Sequence, residues 1–144
     1  MNLSELKRYR QLKIDIDALG KQIEGLYNTY RSPNLNRVGS AGKYSGSVVS
    51  QAVNYITTLQ ETFTAEYEEM VQLGKEIETW LQTINEPDIV AIIRCYYLCG
   101  MDWNQTTKKT LGEFYSWSAS RVKLRRYLEK EQEAEREQEN NVSV

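Results

Sequence analysis

Residues 49–84 read VSQAVNYITTLQETFTAEYEEMVQLGKEIETWLQTI, and the spacing of their apolar side chains decides the fold. An apolar side chain recurs at every third or fourth position, and Glu66 is the only strongly polar member of the series. The series, called the second seam below, consists of Val49, Ala52, Ile56, Leu59, Phe63, Glu66, Met70, Leu73, Ile77, Trp80 and Ile84. Because alternating spacings of three and four define a coiled-coil heptad, the stretch predicts one long, continuous helix.

The residues before the second seam carry the same pattern. It consists of Leu12, Ile16, Leu19, Ile23, Leu26 and Tyr30, and is extended upstream by Leu3, Leu6 and Tyr9. A single helix cannot bury such a stripe, so the two helices must pair with each other or with another chain. Pairing within the chain predicts a long antiparallel coiled-coil hairpin over residues 1–85. The first helix is shorter, so residues 73–84 are expected to pack on the C-terminal domain or to form a homo-oligomer through the coiled coil.

The segment between the two helices, residues 31–48, is rich in glycine, serine and asparagine and predicts a flexible loop. Arg31, Arg37 and Lys43 give this loop a positive charge. A loop of this length is either functional or a solvated turn, and the sequence leaves both interpretations open.

Residues 86–128 predict a small domain of three short helices. Pro87 suits the first turn of a helix, Gly100 can end that helix, and Asp102 can cap a second helix over residues 103–109. A third helix is expected to begin at Ser118 and to run to about Leu128. Short helices ending in a basic one are typical of a helix-turn-helix domain.

The remaining residues, 129–144, form a charged tail without an apolar face. The tail carries six acidic and two basic residues. It is expected to be a frayed helix or disordered, because it has no surface with which to pack.

Most enzyme chemistry is excluded by the side chains that the chain lacks. It contains no histidine, which removes imidazole-dependent catalytic groups, and it has no phosphate-binding loop that follows a strand. Cys95 and Cys99 lie four residues apart and are expected to be buried thiols rather than metal ligands. The sequence therefore predicts no enzyme activity, no cofactor and no metal site.

The segments that would direct a chain to a membrane are also not found. No apolar run approaches the roughly 20 residues that cross a bilayer. The first residues lack the apolar core of a secretory signal. We therefore expect a cytoplasmic protein that makes no contact with membranes.

The net charge of −2 conceals a strong segregation of charge. Residues 1–48 carry eight basic and four acidic residues, whereas residues 49–85 carry one and six. Residues 86–128 carry seven and four. Such asymmetry indicates either a nucleic-acid contact or the pairing of a basic helix with an acidic one.

The basic residues of the C-terminal domain are the candidate site. Arg121 and Arg125 lie one turn apart on the same face of the last helix and can reach bases or phosphates of double-stranded DNA. The full candidate set is Lys108, Lys109, Arg121, Lys123, Arg125 and Arg126. The alternative is a solvated basic helix balanced by the acidic tail. Apolar side chains expected in the core of this domain are Trp103, Leu111, Phe114, Trp117, Val122, Leu124 and Leu128.

Two stretches of the chain resemble a known family. They are Ile84-Asn85-Glu86-Pro87-Asp88 leading into Leu98-Cys99-Gly100-Met101-Asp102-Trp103, and Tyr115-Ser116-Trp117-Ser118-Ala119-Ser120-Arg121-Val122. The chain resembles small phage and prophage proteins of Gram-positive bacteria, whose C-terminal part is similar to region 4 of sigma-70 factors and to ArpU/RinA-type late-gene regulators. It departs from that pattern at Thr106-Thr107, where an Ile-Ala pair is usual.

The resemblance implies a phage-derived, DNA-binding transcriptional regulator with a coiled-coil arm for self-association. The Thr106-Thr107 departure leaves a second interpretation open, in which the chain is a phage accessory protein or inhibitor that binds a host protein without binding DNA. A structural assembly factor is a third. Fold analogy does not decide among them.

Overall fold

The computed structural model describes residues 1–31 and 46–143, and all regular structure in these ranges is helical. The elements are α1 (Leu3–Arg31), α2 (Gly46–Leu81), α3 (Pro87–Ile93), a π-helical turn that continues α3 (Arg94–Leu98), α4 (Trp103–Thr110) and α5 (Ala119–Val142). The predicted all-α class is confirmed for these residues. None of their helices is long and apolar enough to cross a membrane.

The chain divides into two compact units. Unit 1 joins Met1–Arg10 to Leu73–Val144, and unit 2 consists of Gln11–Gln72. This division differs from the predicted boundary after residue 85, because the first turns of α1 and the last turns of α2 belong with the C-terminal helices. Apart from its ends, the predicted loop over residues 31–48 lies outside the described residues.

In unit 2, α1 and α2 lie side by side. A Cβ atom added to Gly20 would lie 3.7 Å from Cε2 of Phe63, so the Phe63 ring of α2 packs against α1 there. Nearby, Nε2 of Gln22 donates a hydrogen bond to the Tyr55 hydroxyl at 2.6 Å. These contacts pair the two segments that carry the predicted seams.

The second seam is only half covered in unit 2. Its members from Ala52 to Met70 are half-buried, and Val49 is 49% exposed. Leu12 is the only fully buried hydrophobic residue in the described part of this unit. The seam positions thus face inwards as the heptad predicts, but two helices alone do not enclose them.

Unit 1 holds the hydrophobic core. Its buried members are Leu6, Ile77, Leu81, Ile84, Ile89, Ile92, Ile93, Tyr97, Leu124 and Leu128. The end of the second seam therefore packs on the C-terminal helices, which was one of the two predicted outcomes. Gly74 of α2 leaves room for the Tyr9 ring of α1, since an added Cβ would lie 3.1 Å from its Cε2.

The ends of the short helices follow the sequence signals. Pro87 lies in the first turn of α3, and Gly100 adopts a φ of +77°, which favours glycine. Asp102 caps α4 with a reciprocal pair of bonds: its carboxylate accepts from the Gln105 backbone N–H at 2.7 Å, and the Gln105 side chain accepts from the Asp102 N–H at 3.3 Å.

The last helix differs from its prediction at both ends. Ser118 is the residue before α5, but its hydroxyl makes no capping bond to the helix. At the other end α5 continues past Leu128 to Val142, through the charged tail whose residues are almost all exposed. Glutamate, glutamine and lysine have high helix propensity, so the helix continues without a packing surface.

Candidate nucleic-acid interface

The turn from α4 to α5 is fixed by a buried pair of hydroxyl groups. The Thr107 hydroxyl donates to the backbone carbonyl of Trp117 at 2.9 Å. Its oxygen lies 2.6 Å from Oγ of Ser120, which therefore donates to it. Thr106, Thr107 and Ser120 are all fully buried. The departure at Thr106-Thr107 thus has a structural role, because Thr107 sets where α5 begins.

The same turn carries three aromatic side chains at the surface. Phe114 is fully exposed at 104%, and Tyr115 and Trp117 are each more than half exposed. The predicted core positions of Phe114 and Trp117 are therefore wrong. Gly112, with a φ of +110°, turns the chain away from α4, so these residues do not follow helical periodicity. Leu124 and Leu128 are buried as predicted, whereas Trp103, Leu111 and Val122 are half-buried.

Arg121 and Arg125 line a cleft of about 170 Å³ together with two cations from α1, Lys7 and Arg10. The walls are completed by Leu3, Tyr96, Tyr97, Trp103 and Leu124. None of these lining residues is acidic, within the part of the chain that the structure describes. We call this site the basic cleft. Lys7 and Arg10 were not among the predicted site residues, because nothing in the sequence links them to α5.

Arg10 is held rigidly at the edge of the basic cleft. Its Nη1 atom donates to the backbone carbonyls of Tyr96 and Met101, where the π-helical turn and Gly100 end the helix. The Arg10 guanidinium carbon lies 4.0 Å from the centre of the Tyr96 ring, a cation–π distance. Tyr96 in turn stacks on Trp103, with 3.6 Å between ring centres. Arg10 therefore keeps its charge in one place, with neutral partners.

Tyr97 at the back of the basic cleft responds to these charges. The pKa of Tyr97 is raised to about 12, mostly by burial and also by its neighbour Tyr96, while Arg10 and Arg121 act in the opposite direction. The phenol therefore remains neutral at physiological pH. The two arginines nonetheless make the surroundings of its ring more positive.

The opposite side of α5 forms a larger groove of about 680 Å³, called the mixed groove below. Its cations are Lys123, Arg126 and Lys130, and it also contains Glu86 and Asp88. Nζ of Lys123 lies 2.8 Å from Oδ2 of Asp88 in a partly exposed ion pair. The candidate cations on α5 are thus divided, since Lys123 and Arg126 have carboxylates nearby, whereas no carboxylate among the described residues lines the cleft that holds Arg121 and Arg125.

Tyr127 shows that the mixed groove is more acidic. Its hydroxyl donates to Oε1 of Glu131 at 2.6 Å. Burial raises the pKa of Tyr127 most, and the hydrogen bond and negative charge of Glu131 and the charge of Glu86 raise it further. The charged groups that act on this ring are therefore acidic, whereas those that act on Tyr97 include two arginines.

The remaining candidate cations, Lys108 and Lys109, are exposed on the last turn of α4. They line neither the basic cleft nor the mixed groove. The structure therefore does not bring all six candidate residues to one surface.

Of the two cysteines, one is buried and the other is exposed. Cys95 is buried as predicted, but Cys99 is exposed, so the prediction for that thiol is wrong. Cys99 lies just beyond the π-helical turn, where the chain leaves the helix. Among the described residues, no group of three cysteine, aspartate or glutamate side chains could hold a metal ion.

Comparison of the chain with protein-family models, with curated proteins and with solved structures gives no significant match. The resemblance to phage and prophage regulators accordingly stays a prediction from the sequence. The candidate site therefore consists of α5 and the two cavities that flank it.

Proposed function

We propose that this chain is a cytoplasmic, phage-derived transcriptional regulator that binds double-stranded DNA through a C-terminal helix-turn-helix domain. The observation that supports this most directly is the exposed pair Arg121 and Arg125, on the first two turns of α5, in a cleft without acidic lining residues. Guanidinium groups in such a position attract phosphate and can donate two bonds to one guanine.

The arrangement of the helices is consistent with this function. Helix α4 packs against α5, and both contact α3, as the helices of a helix-turn-helix domain do. Buried Thr107 and Ser120 hold the start of α5 in place, so its first turns are presented from a rigid support. The turn over residues 111–118 is longer than the three or four residues usual for this motif.

We propose further that α1 and α2 form an antiparallel coiled-coil hairpin that mediates self-association. The support is the half-covered second seam in unit 2, since a second copy would bury more of it. Sedimentation measurements should therefore detect an oligomer, and Leu59→Asp should dissociate it. A parent chain that remains monomeric at high concentration would contradict this part of the proposal.

The direct test of DNA binding is a salt titration with a fluorescently labelled duplex of random sequence. If about three phosphates are neutralised, affinity should fall roughly 40-fold between about 50 and about 200 mM salt, because each contact contributes about −0.9 to the logarithmic slope. Absence of binding at the lower salt concentration would disprove the proposal.

A second candidate function is supported by a separate observation, the exposed Phe114, Tyr115 and Trp117. Exposed aromatic side chains are typical of protein interfaces, so this turn fits the alternative of a phage accessory protein that binds a host protein. The double variant Phe114→Ser, Trp117→Ser separates the two functions. It should lose a host partner in a pull-down if that alternative holds, while DNA binding depends on Arg121 and Arg125.

A further inference from the structure

We infer that the basic cleft is a binding site for one phosphate group of the DNA backbone, and that α1 contributes to it. The inference rests on the proposed function and extends it to Lys7 and Arg10. These residues lie at the other end of the sequence from α5, in a helix otherwise assigned to the coiled coil.

The basic cleft concentrates positive charge. Four cationic side chains converge on a space of about 170 Å³, and none of the residues that line it carries a negative charge. Among the described residues, the structure records no ion pair for Lys7, Arg121 or Arg125. The four like charges that line this cleft repel one another, so the arrangement is stabilised when an anion enters.

The geometry of the donors is the second argument. Arg10 is fixed by two carbonyl groups and by the Tyr96 ring, so it contributes charge without losing conformational entropy on binding. Lys7, Arg121 and Arg125 are exposed and able to donate hydrogen bonds. One rigid and three adaptable cations suit the tetrahedral oxygens of a phosphate.

The size of the cleft favours a phosphate that belongs to a larger molecule. Pockets that enclose small ligands usually measure about 300–1,000 Å³, and this cleft is smaller. Arg121 and Arg125, the two residues proposed to face DNA, are among the residues that line it. A backbone phosphate beside the bases that α5 contacts would therefore lie within reach of Lys7.

The test compares two variants of α1 in the full chain. Lys7→Gln should weaken duplex binding about three- to tenfold and reduce the magnitude of the logarithmic salt slope by about 0.9, the value for one lost phosphate contact. Lys21→Gln makes the same charge change on the same helix, at an exposed position outside the cleft, and should leave both quantities unchanged. Lys7→Arg should restore the slope, and all three variants should melt like the parent.

The outcomes distinguish this inference from the proposed function. If Lys7→Gln keeps the parental slope while Arg121→Ala with Arg125→Ala weakens binding, the inference is wrong and DNA binding stands. If the parent binds no DNA at low salt, the proposed function and the DNA-backbone assignment both fail. Titration with inorganic phosphate then tests whether the cleft binds the free anion. Binding that depends on Lys7 would retain the cleft as a site for free phosphate, and absence of binding would eliminate it.

Discussion

The basic cleft and the mixed groove lie on opposite sides of the same helix and differ in what accompanies their cations. Four cations line the cleft without a carboxylate among the described lining residues, whereas the three cations of the groove share it with Glu86 and Asp88. A nearby carboxylate cancels most of the field that a cation exerts on an approaching phosphate. The number of basic residues on α5 therefore does not predict where DNA binds. Whether each basic residue has a carboxylate nearby predicts it better.

The largest expected effect on DNA affinity comes from removing the two arginines of the basic cleft, in comparison with removing two cations of the mixed groove. Arg121→Ala with Arg125→Ala should weaken duplex binding at least tenfold, since each lost contact costs about 1–3 kcal/mol if it recognises a base. Lys123→Ala with Arg126→Ala removes the same charge and should weaken binding less than about threefold, because Lys123 is already paired with Asp88. Anisotropy titrations at one salt concentration measure both. Equal losses would show that only total charge matters.

A substitution at Thr107 should disturb both cavities together, because this residue fixes the start of α5. Thr107→Val keeps the shape but leaves the Trp117 carbonyl and the Ser120 hydroxyl without their partner, at a cost of about 1–3 kcal/mol in the free energy of unfolding. Thr110→Val is the control, since that hydroxyl bonds only to a carbonyl of its own helix. Urea denaturation compares the two. A Thr107→Val variant as stable as the control would contradict the role given to the buried hydroxyls.

The pKa values of Tyr97 and Tyr127 allow the electrostatic fields of the two cavities to be compared without DNA. Arg121→Gln should raise the pKa of Tyr97, because it removes a charge that favours the phenolate. Glu131→Gln should lower the pKa of Tyr127, because it removes the hydrogen bond and charge that oppose ionisation. Titration of the ring carbons by NMR detects each shift, with Arg121→Lys as the charge-preserving control. Shifts of the same sign would show that the cavities do not differ in field.

The raised pKa of Tyr97 also has a consequence for stability. The folded chain keeps this proton up to a pH of about 12, whereas the unfolded chain releases it near 10. The stabilising contribution is therefore complete below pH 10 and is lost as the pH rises towards 12. Thermal melts of the parent should shift downwards in that window, and by less in Tyr97→Phe.

The smallest expected effect on DNA affinity comes from removing a carboxylate from the mixed groove, which makes the groove more like the basic cleft. Asp88→Asn releases Lys123 from its ion pair and should strengthen duplex binding about twofold, as expected for an exposed pair worth less than about 1 kcal/mol. Glu24→Gln, at an exposed position of α1 in unit 2, makes the same change in net charge. An equal gain in both variants would assign the effect to net charge rather than to the groove.

The sequence predicted those features of the fold that depend on local signals. The helical seam from Val49 to Trp80, the cap at Asp102 and the stop at Gly100 are set by spacing and by backbone preference within a few residues, whereas Ile84 lies beyond the end of α2 at Leu81. The exposed Phe114 and Trp117 were not predictable in this way, because they belong to a turn without a period. The sequence left the tail open between a frayed helix and disorder, and high helix propensity favours the helix that α5 forms to Val142.

The candidate site was only partly predictable for a related reason. Arg121 and Arg125 could be selected because both lie on one helix, where spacing determines the face. Lys7 and Arg10 join them through tertiary packing of α1 in unit 1, and Asp88 neutralises Lys123 in the same way. Sequence periodicity contains no information on which distant charges become neighbours.

Unit 1 combines the first residues of the chain with the last ones, which determines when it can fold during translation. Residues 1–10 leave the ribosome long before residues 73–128, with which they share a core. At a synthesis rate of about 5–20 residues per second, α1 must wait on the order of ten seconds for α5. During that interval its apolar face and the cations Lys7 and Arg10 have no tertiary partners from α5. Unit 1 therefore folds late in translation, and a nascent chain arrested before α5 would lack the basic cleft altogether.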